Sequence, residues 1–200
     1  MANDLFIIGG GPSLSQTNLE LVKNKAVLGV NAAFRLGSWV DSMIFGDCRF
    51  YEGKEWIYKP YLDEYLGRKY TLCTNLKNDP RFIYYEKCEK HFLCLKKGKL
   101  TYITGKGKNS GCAAINLGVQ LGYGRIVLLG FDGKATKKGK HNWHNWHTHI
   151  PQPDIYDKFY TSFKGLAEEL KEKKPDVEVI NASPNTKLDI FPKVKLEKLL

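Results

Sequence analysis

Three glycines in a row, Gly9, Gly10 and Gly11, come straight after the apolar run Leu5 to Ile8 and straight before Pro12 and Ser13. Glycine lets a backbone approach an anion closely, and a helix starting at Pro12 offers free N–H groups and the positive end of its dipole to a phosphate. Gly9, Gly10, Gly11, Pro12 and Ser13 are therefore expected to bind a nucleotide, the alternative being a plain tight turn. The spacing is neither the dinucleotide fingerprint nor the phosphate loop of ATPases, because the later glycine or Gly-Lys-Ser/Thr is missing.

Other polar residues follow apolar runs in the same way. Asn31 ends Ala26 to Val30, Asp47 follows Ser42 to Phe45, and Asp132 follows Arg125 to Leu129. Asn31 is a candidate for reading a base or ribose, or else caps a turn. Asp47 and Asp132 are candidates for a ribose contact, a metal contact or a general base. Asn109, Ser110 and Gly111 precede an alanine-rich stretch, where a serine can cap a helix while the helix start holds phosphate.

Four of the five histidines fall in one segment, His141 to His149, interleaved with Trp143 and Trp146. His141, His144 and His147 have ligand-like spacing, but no cysteine or nearby carboxylate completes a zinc pattern, and no metal is expected. A histidine titrating near neutrality can deprotonate an acceptor hydroxyl, and indole faces suit a sugar or base. A solvent-exposed loop is the alternative.

These groups need elements to hold them. Leu5 to Ile8 reads as a buried strand leading through the glycine turn into a helix, the opening of a βα unit. Further strands are expected at Ala26 to Val30, Ser42 to Phe45, Tyr70 to Thr74, Arg125 to Leu129 and Val177 to Ile180. Helices are expected over Ser110 to Leu121, closed by Gly122, and over Tyr156 to Lys173, with a short one near Leu200. The aromatic, basic middle from Arg49 to Lys108 is the least legible part. Alternating strands and helices predict an α/β, Rossmann-like fold, a mostly parallel sheet with helices on both faces, in a glycosyltransferase-A-like variant. Ligands in such sheets sit beyond the carboxyl ends of the strands.

The 200 residues are expected to form one domain, with a basic loop at about 96–108 and a His/Trp-rich loop at about 134–153. No apolar run approaches the roughly 20 residues of a membrane span, and the start lacks a basic n-region, so a cytoplasmic protein is expected. The cysteines Cys48, Cys73, Cys88, Cys94 and Cys112 are odd in number and scattered, which predicts reduced thiols. A net charge of +10 predicts attraction to DNA or another polyanion.

The order of motifs resembles the bacterial family 42 sialyltransferases and their relatives. The resemblance spans most of the chain and is dense in four islands: Ile8 to Leu14, Val30 to Phe34, Ser110-Gly111 running on into Leu121 to Asp132, and Val179 to Leu188. It implies that Gly9 to Ser13, Asn31, Ser110 and Gly111 hold the nucleotide of a nucleotide-sugar, with His149 or His147 as general base. The chain departs from the family at Gly10 and Asn109, and a tyrosine pair has no counterpart between Phe131 and His149. The Gly-Pro-Ser-Leu turn is also similar to that of pterin diphosphokinase-like proteins and of small bacteriophage proteins.

The expected function is glycosyl transfer from a nucleotide-sugar to an acceptor hydroxyl, with a modified base in phage DNA as one acceptor. His149, His147 and Asp132 are the expected catalytic residues, and Trp143, Trp146 and His144 the acceptor-binding ones. No cofactor is required on this reading. The competing readings are a diphosphokinase using ATP and Mg²⁺ held by Asp47 and Asp132, a non-catalytic nucleotide binder, and a nucleic-acid module acting through the basic loop.

Overall fold

The computed structural model describes residues 3–52, 58–102, 109–146, 152 and 154–200. Short, uninterrupted apolar runs form strands β1 (Asp4–Ile8), β2 (Ala26–Val30) and β3 (Ser42–Phe45). The middle of the chain supplies helices α1 (Arg49–Glu52) and α2 (Lys59–Glu64), then strands β4 (Arg68–Thr71), β5 (Ile83–Tyr84), β6 (Glu86–Cys88) and β7 (Lys99–Thr101). Helix α3 (Ser110–Gln120), strand β8 (Arg125–Leu129), helix α4 (Ile155–Lys173) and strand β9 (Glu178–Asn181) complete the chain.

Seven strands form one sheet in the order β5-β4-β3-β2-β1-β8-β9, and each pairing between neighbours is parallel. Strands β6 and β7 pair separately. The fold is thus the α/β, Rossmann-like arrangement expected. Both faces are covered, which is why the strands read as continuous rather than alternating apolar runs. Leu5 and Ile7 of β1 pack with residues of α3 and α4, whereas Phe6 and Ile8 join Leu14, Val22, Ala33 and Val40 on the other face. Beside them, Phe50, Tyr58, Leu62 and Tyr65 pack on Met43 and Phe45.

Helix α3 ends as its sequence predicts, with Gly122 at φ +85°, in the left-handed region that a helix terminus favours. The helix expected after the glycine turn is instead two short 3-10 segments, Pro12–Gln16 and Leu19–Val22. Asn18 accepts from the Glu20 N–H at 3.3 Å and restarts the capping before an α-helix can propagate.

The cysteine reading is also corrected. Cys48 and Cys73 form a disulfide, with Cα atoms 4.8 Å apart. Parallel register explains it: Phe45 pairs with Thr71, so the residues just beyond the ends of β3 and β4 emerge side by side. Cys88, Cys94 and Cys112 are free. Among the described residues, no helix is long and apolar enough to cross a membrane.

Candidate functional site

The chain builds outward from β1 through β2, β3 and β4 to β5, then returns to place β8 on the other side of β1. In open parallel sheets the crevice at such a reversal is where ligands bind. Beyond the carboxyl ends of β1 and β8 lie the glycine turn and the segment Gly130-Phe131-Asp132.

The two segments are bound tightly together. Gly9 N–H donates to the Leu129 carbonyl at 2.7 Å and Gly11 N–H to the Gly130 carbonyl at 2.8 Å. Ser13 donates its backbone N–H to Asp132 Oδ2 at 2.7 Å and its hydroxyl to Asp132 Oδ1. The donors expected to cradle phosphate are therefore largely engaged by the protein itself. Among the described residues, no acceptor pairs with the Gly10 N–H.

Packing also accounts for the glycines. A Cβ on Gly9 would lie 2.7 Å from the Gly130 carbonyl oxygen, and one on Gly11 2.6 Å from the same atom and 2.7 Å from Asp132 Cγ. The Phe131 ring sits against Gly9 on one side and Gly111 on the other, where added Cβ atoms would fall 3.0 and 2.8 Å from ring carbons. One ring thus couples the glycine turn to the start of α3.

That start is capped by Asn109, whose Oδ1 accepts from Gly111 N–H at 2.8 Å and Cys112 N–H at 3.3 Å. Asn109 is 7% exposed, and its buried Nδ2 has no hydrogen-bond partner among the described residues. An unmatched buried donor is uncommon. Ser110 hydrogen-bonds Tyr102, whose hydroxyl is raised well above its ordinary range by burial.

Asn31 follows β2 with φ +52°, a left-handed conformation that asparagine tolerates better than most residues. Asp47 follows β3 and is held by Arg49, with Nη2 2.6 Å from Oδ2. Strands β2 and β1 stand between β3 and β8, three strand spacings or about 14 Å. Among the described residues no cluster of three metal-binding side chains occurs.

Burial raises the pKa of Asp132 against the lowering effect of its Ser13 bonds and the Lys134 charge. Behind Asp132, a network from the end of β9 fixes its backbone. Ser183 Oγ accepts from Phe131 N–H at 2.7 Å, while Asn181 Nδ2 and Thr186 Oγ1 donate to the Phe131 carbonyl at 3.1 and 2.7 Å. The Val179 to Leu188 island thus acts here through the Phe131 backbone.

The His/Trp segment folds over the turn, with Trp143 N–H donating to the Gly10 carbonyl at 3.0 Å. His144 is buried and stacks on Trp146 at 4.7 Å, and Trp143 meets both rings edge-on. Arg35 also lies over Trp146, with its guanidinium carbon 3.8 Å from the ring centroid. The indole expected to meet an acceptor thus contacts both His144 and Arg35 and remains 36% exposed. His147 and His149 lie outside the described residues, as does the 103–108 part of the basic loop.

No known family model matches the sequence, and no curated protein is similar to it. Among solved structures, the chain is similar to the crystal structure of the sialyltransferase CST-II in complex with CMP. The TM-score is 0.49 at 14% identity, covering 94% of this chain and 84% of that one.

Two further residues were missed by sequence reasoning. Tyr156, at the start of α4, lies within 2.9 Å of His141 Nδ1 and stacks on that ring at 5.8 Å. Burial and the negative Asp132 push its hydroxyl pKa up to about 12. Its place in an amphipathic helix gave no sign that it meets the segment before it. Arg35 is the second, an ordinary basic residue until Trp146 is laid against it.

A cavity of about 730 Å³ lies elsewhere, beside β6, β7 and the end of α4. Lys87, Lys90, Lys96, Lys99 and Lys173 line it, so the described part of the basic loop contributes to a concave basic surface. Lys99 pairs with Glu86 at 2.5 Å and Lys173 with Glu169 at 2.6 Å. The other three form no ion pair among the described residues.

Proposed function

We propose that the protein is a glycosyltransferase-like enzyme that takes a sugar from a nucleotide-sugar and passes it to an acceptor hydroxyl. The observation that supports this best is the packing of the α3 start against the glycine turn through the Phe131 ring, with the buried Asn109 Nδ2 lacking a partner among the described residues. A nucleotide hydroxyl, carbonyl or phosphate oxygen would satisfy that donor. With the Gly9, Gly11 and Ser13 N–H groups engaged, the turn shapes the crevice, and the Gly10 N–H and Asn109 Nδ2 are the proposed donors.

His147 or His149 is the proposed base for the acceptor hydroxyl. Asp132 is proposed to orient Ser13 and the turn. Trp143, Trp146 and His144 form the roof on the acceptor side. The acceptor is proposed to be anionic, and DNA carrying a hydroxylated base is one such molecule, with the lysine-lined cavity as a second contact. A base within a duplex would have to flip out to react. The diphosphokinase reading, with Mg²⁺ held by Asp47 and Asp132, is separated from this one by metal dependence of the response.

The test is a thermal-shift screen against CMP, UDP, GDP and ADP, their common sugar derivatives, and ATP with and without Mg²⁺, since a ligand selective for the native state raises apparent stability. A sugar-nucleotide response lost in Asn109→Ala supports the proposal. Response to ATP only with Mg²⁺, or to no compound at millimolar concentration, overturns it. Loss of turnover in either His147→Ala or His149→Ala, with donor binding kept, would identify the base.

A further inference from the structure

Arg35 stands in the 3-10 segment that follows β2, four residues after Asn31. Its guanidinium carbon lies 3.8 Å from the Tyr61 ring centroid and 3.8 Å from the Trp146 ring centroid. Two rings at that distance hold the planar group between them. Both are cation–π contacts, and together they fix its orientation.

Bracketing leaves the edge of the guanidinium as its accessible part, and the edge carries the five N–H donors. Among the described residues, none of these donors meets a carboxylate, carbonyl or hydroxyl, and Arg35 forms no ion pair. The residue is half-buried, and among the described residues it is not paired with a carboxylate. Its charge reaches the buried Tyr58 hydroxyl, whose pKa burial raises and Arg35 lowers. A planar fork, held between two rings and without a hydrogen-bond partner among the described residues, matches an oxyanion that accepts two parallel hydrogen bonds.

Its position relates it to the crevice. Trp146 bridges from Arg35 to Trp143, with indole centroids 5.3 Å apart, and Trp143 is bonded to Gly10. We propose that Arg35 is an anion-binding residue that receives a carboxylate or phosphate group carried by the acceptor, so that the enzyme selects acidic acceptors. The assignment to the acceptor rests on the transferase reading above, whereas the anion site itself does not.

The experiment follows arginine side-chain Nε–H resonances of the whole protein at low ionic strength during separate titrations with inorganic phosphate and with acetate. Arg35→Lys identifies the Arg35 signal by its loss, and the exposed Arg68 serves as control. A saturable shift of Arg35 at concentrations that leave Arg68 unmoved is expected, and the more effective probe names the oxyanion. Parallel movement of both signals, or none, overturns the proposal. Arg35→Lys is also expected to leave the donor-nucleotide thermal shift unchanged and to weaken binding of the effective anion roughly tenfold, because an ammonium keeps charge without the fork. A lost nucleotide response in Arg35→Lys would move the residue to the donor site and overturn the acceptor assignment. Anion binding at Arg35 with no nucleotide response in the wild-type protein would leave the site standing and remove the transferase reading.

Discussion

Ser13 gives both of its donors to Asp132, bringing together residues 119 positions apart in the sequence. The bonds join the turn after β1 to the turn after β8, the two strands that flank the reversal in sheet order. Asp132 is 5% exposed and Ser13 7% exposed, so neither has ready replacement by water.

Replacing Asp132 with Asn removes the charge and turns an amide NH₂ toward one of two donors, and Ser13→Ala removes one bond. Each is expected to destabilise the fold by about 1–3 kcal/mol, read as the midpoint and slope of urea unfolding. Losses that add fully in the double variant would show that the two side chains do not interact.

Asp132 and Glu169 are expected to respond to pH with opposite sign. Burial raises the Asp132 pKa in the folded state, so the native protein holds that proton more tightly than the unfolded chain. Its contribution is fullest below the ordinary aspartate pKa and declines as pH rises to the raised value. For Glu169, burial acts upward, but Lys173 and the Phe92 and Leu93 N–H groups outweigh it and lower the pKa. That contribution is present above the ordinary glutamate pKa and is lost as pH falls through the lowered one. Subtracting stability–pH curves of Asp132→Asn and Glu169→Gln from wild type isolates the two slopes, and equal signs would contradict the assignment.

Glu169 accepts from Phe92 N–H at 3.0 Å and Leu93 N–H at 3.1 Å. Glu169→Ala leaves both backbone donors unmatched and is expected to cost about 1–3 kcal/mol. Glu169→Gln, which keeps an acceptor oxygen, should cost less. Faster amide exchange at Phe92 and Leu93 in the alanine variant would locate the effect.

The neighbouring glycines should behave differently. Gly11→Ala forces a methyl group into the Gly130 carbonyl and Asp132, with an expected loss of about 1–3 kcal/mol. At Gly10 the nearest atom to a new Cβ is Asn142 Oδ1 at 3.0 Å, the end of a side chain that can turn aside. Gly10→Ala is expected to stay within about 0.5 kcal/mol of wild type. Similar losses at both positions would contradict this packing.

Alkylation of the denatured, unreduced protein is expected to label the three free cysteines, and all five after reduction. Closing a chain separation of 25 residues, the Cys48–Cys73 bond should contribute about 3 kcal/mol to stability. Five reactive thiols before reduction would restore the reading of reduced cysteines.

The sequence alone determined the elements whose signal is local. Continuous apolar runs bounded by glycine or a polar residue marked β1, β2, β3 and β8, and Gly122 marked the end of α3, because burial and left-handed backbone each constrain residue type where they occur. The strand ends also located Asn31, Asp47 and Asp132. Tertiary structure alone decided what those residues do with their hydrogen bonds. Gly9, Gly11 and Gly111 answer to Phe131 and Gly130, far away in the chain, and the Ser13 donors answer to Asp132. Trp146 stacks on Arg35 and His144, while the register of β3 with β4 decides which cysteines meet. Each of these relationships depends on strand order and on the path of a returning loop, which long-range packing sets and local residue spacing does not encode.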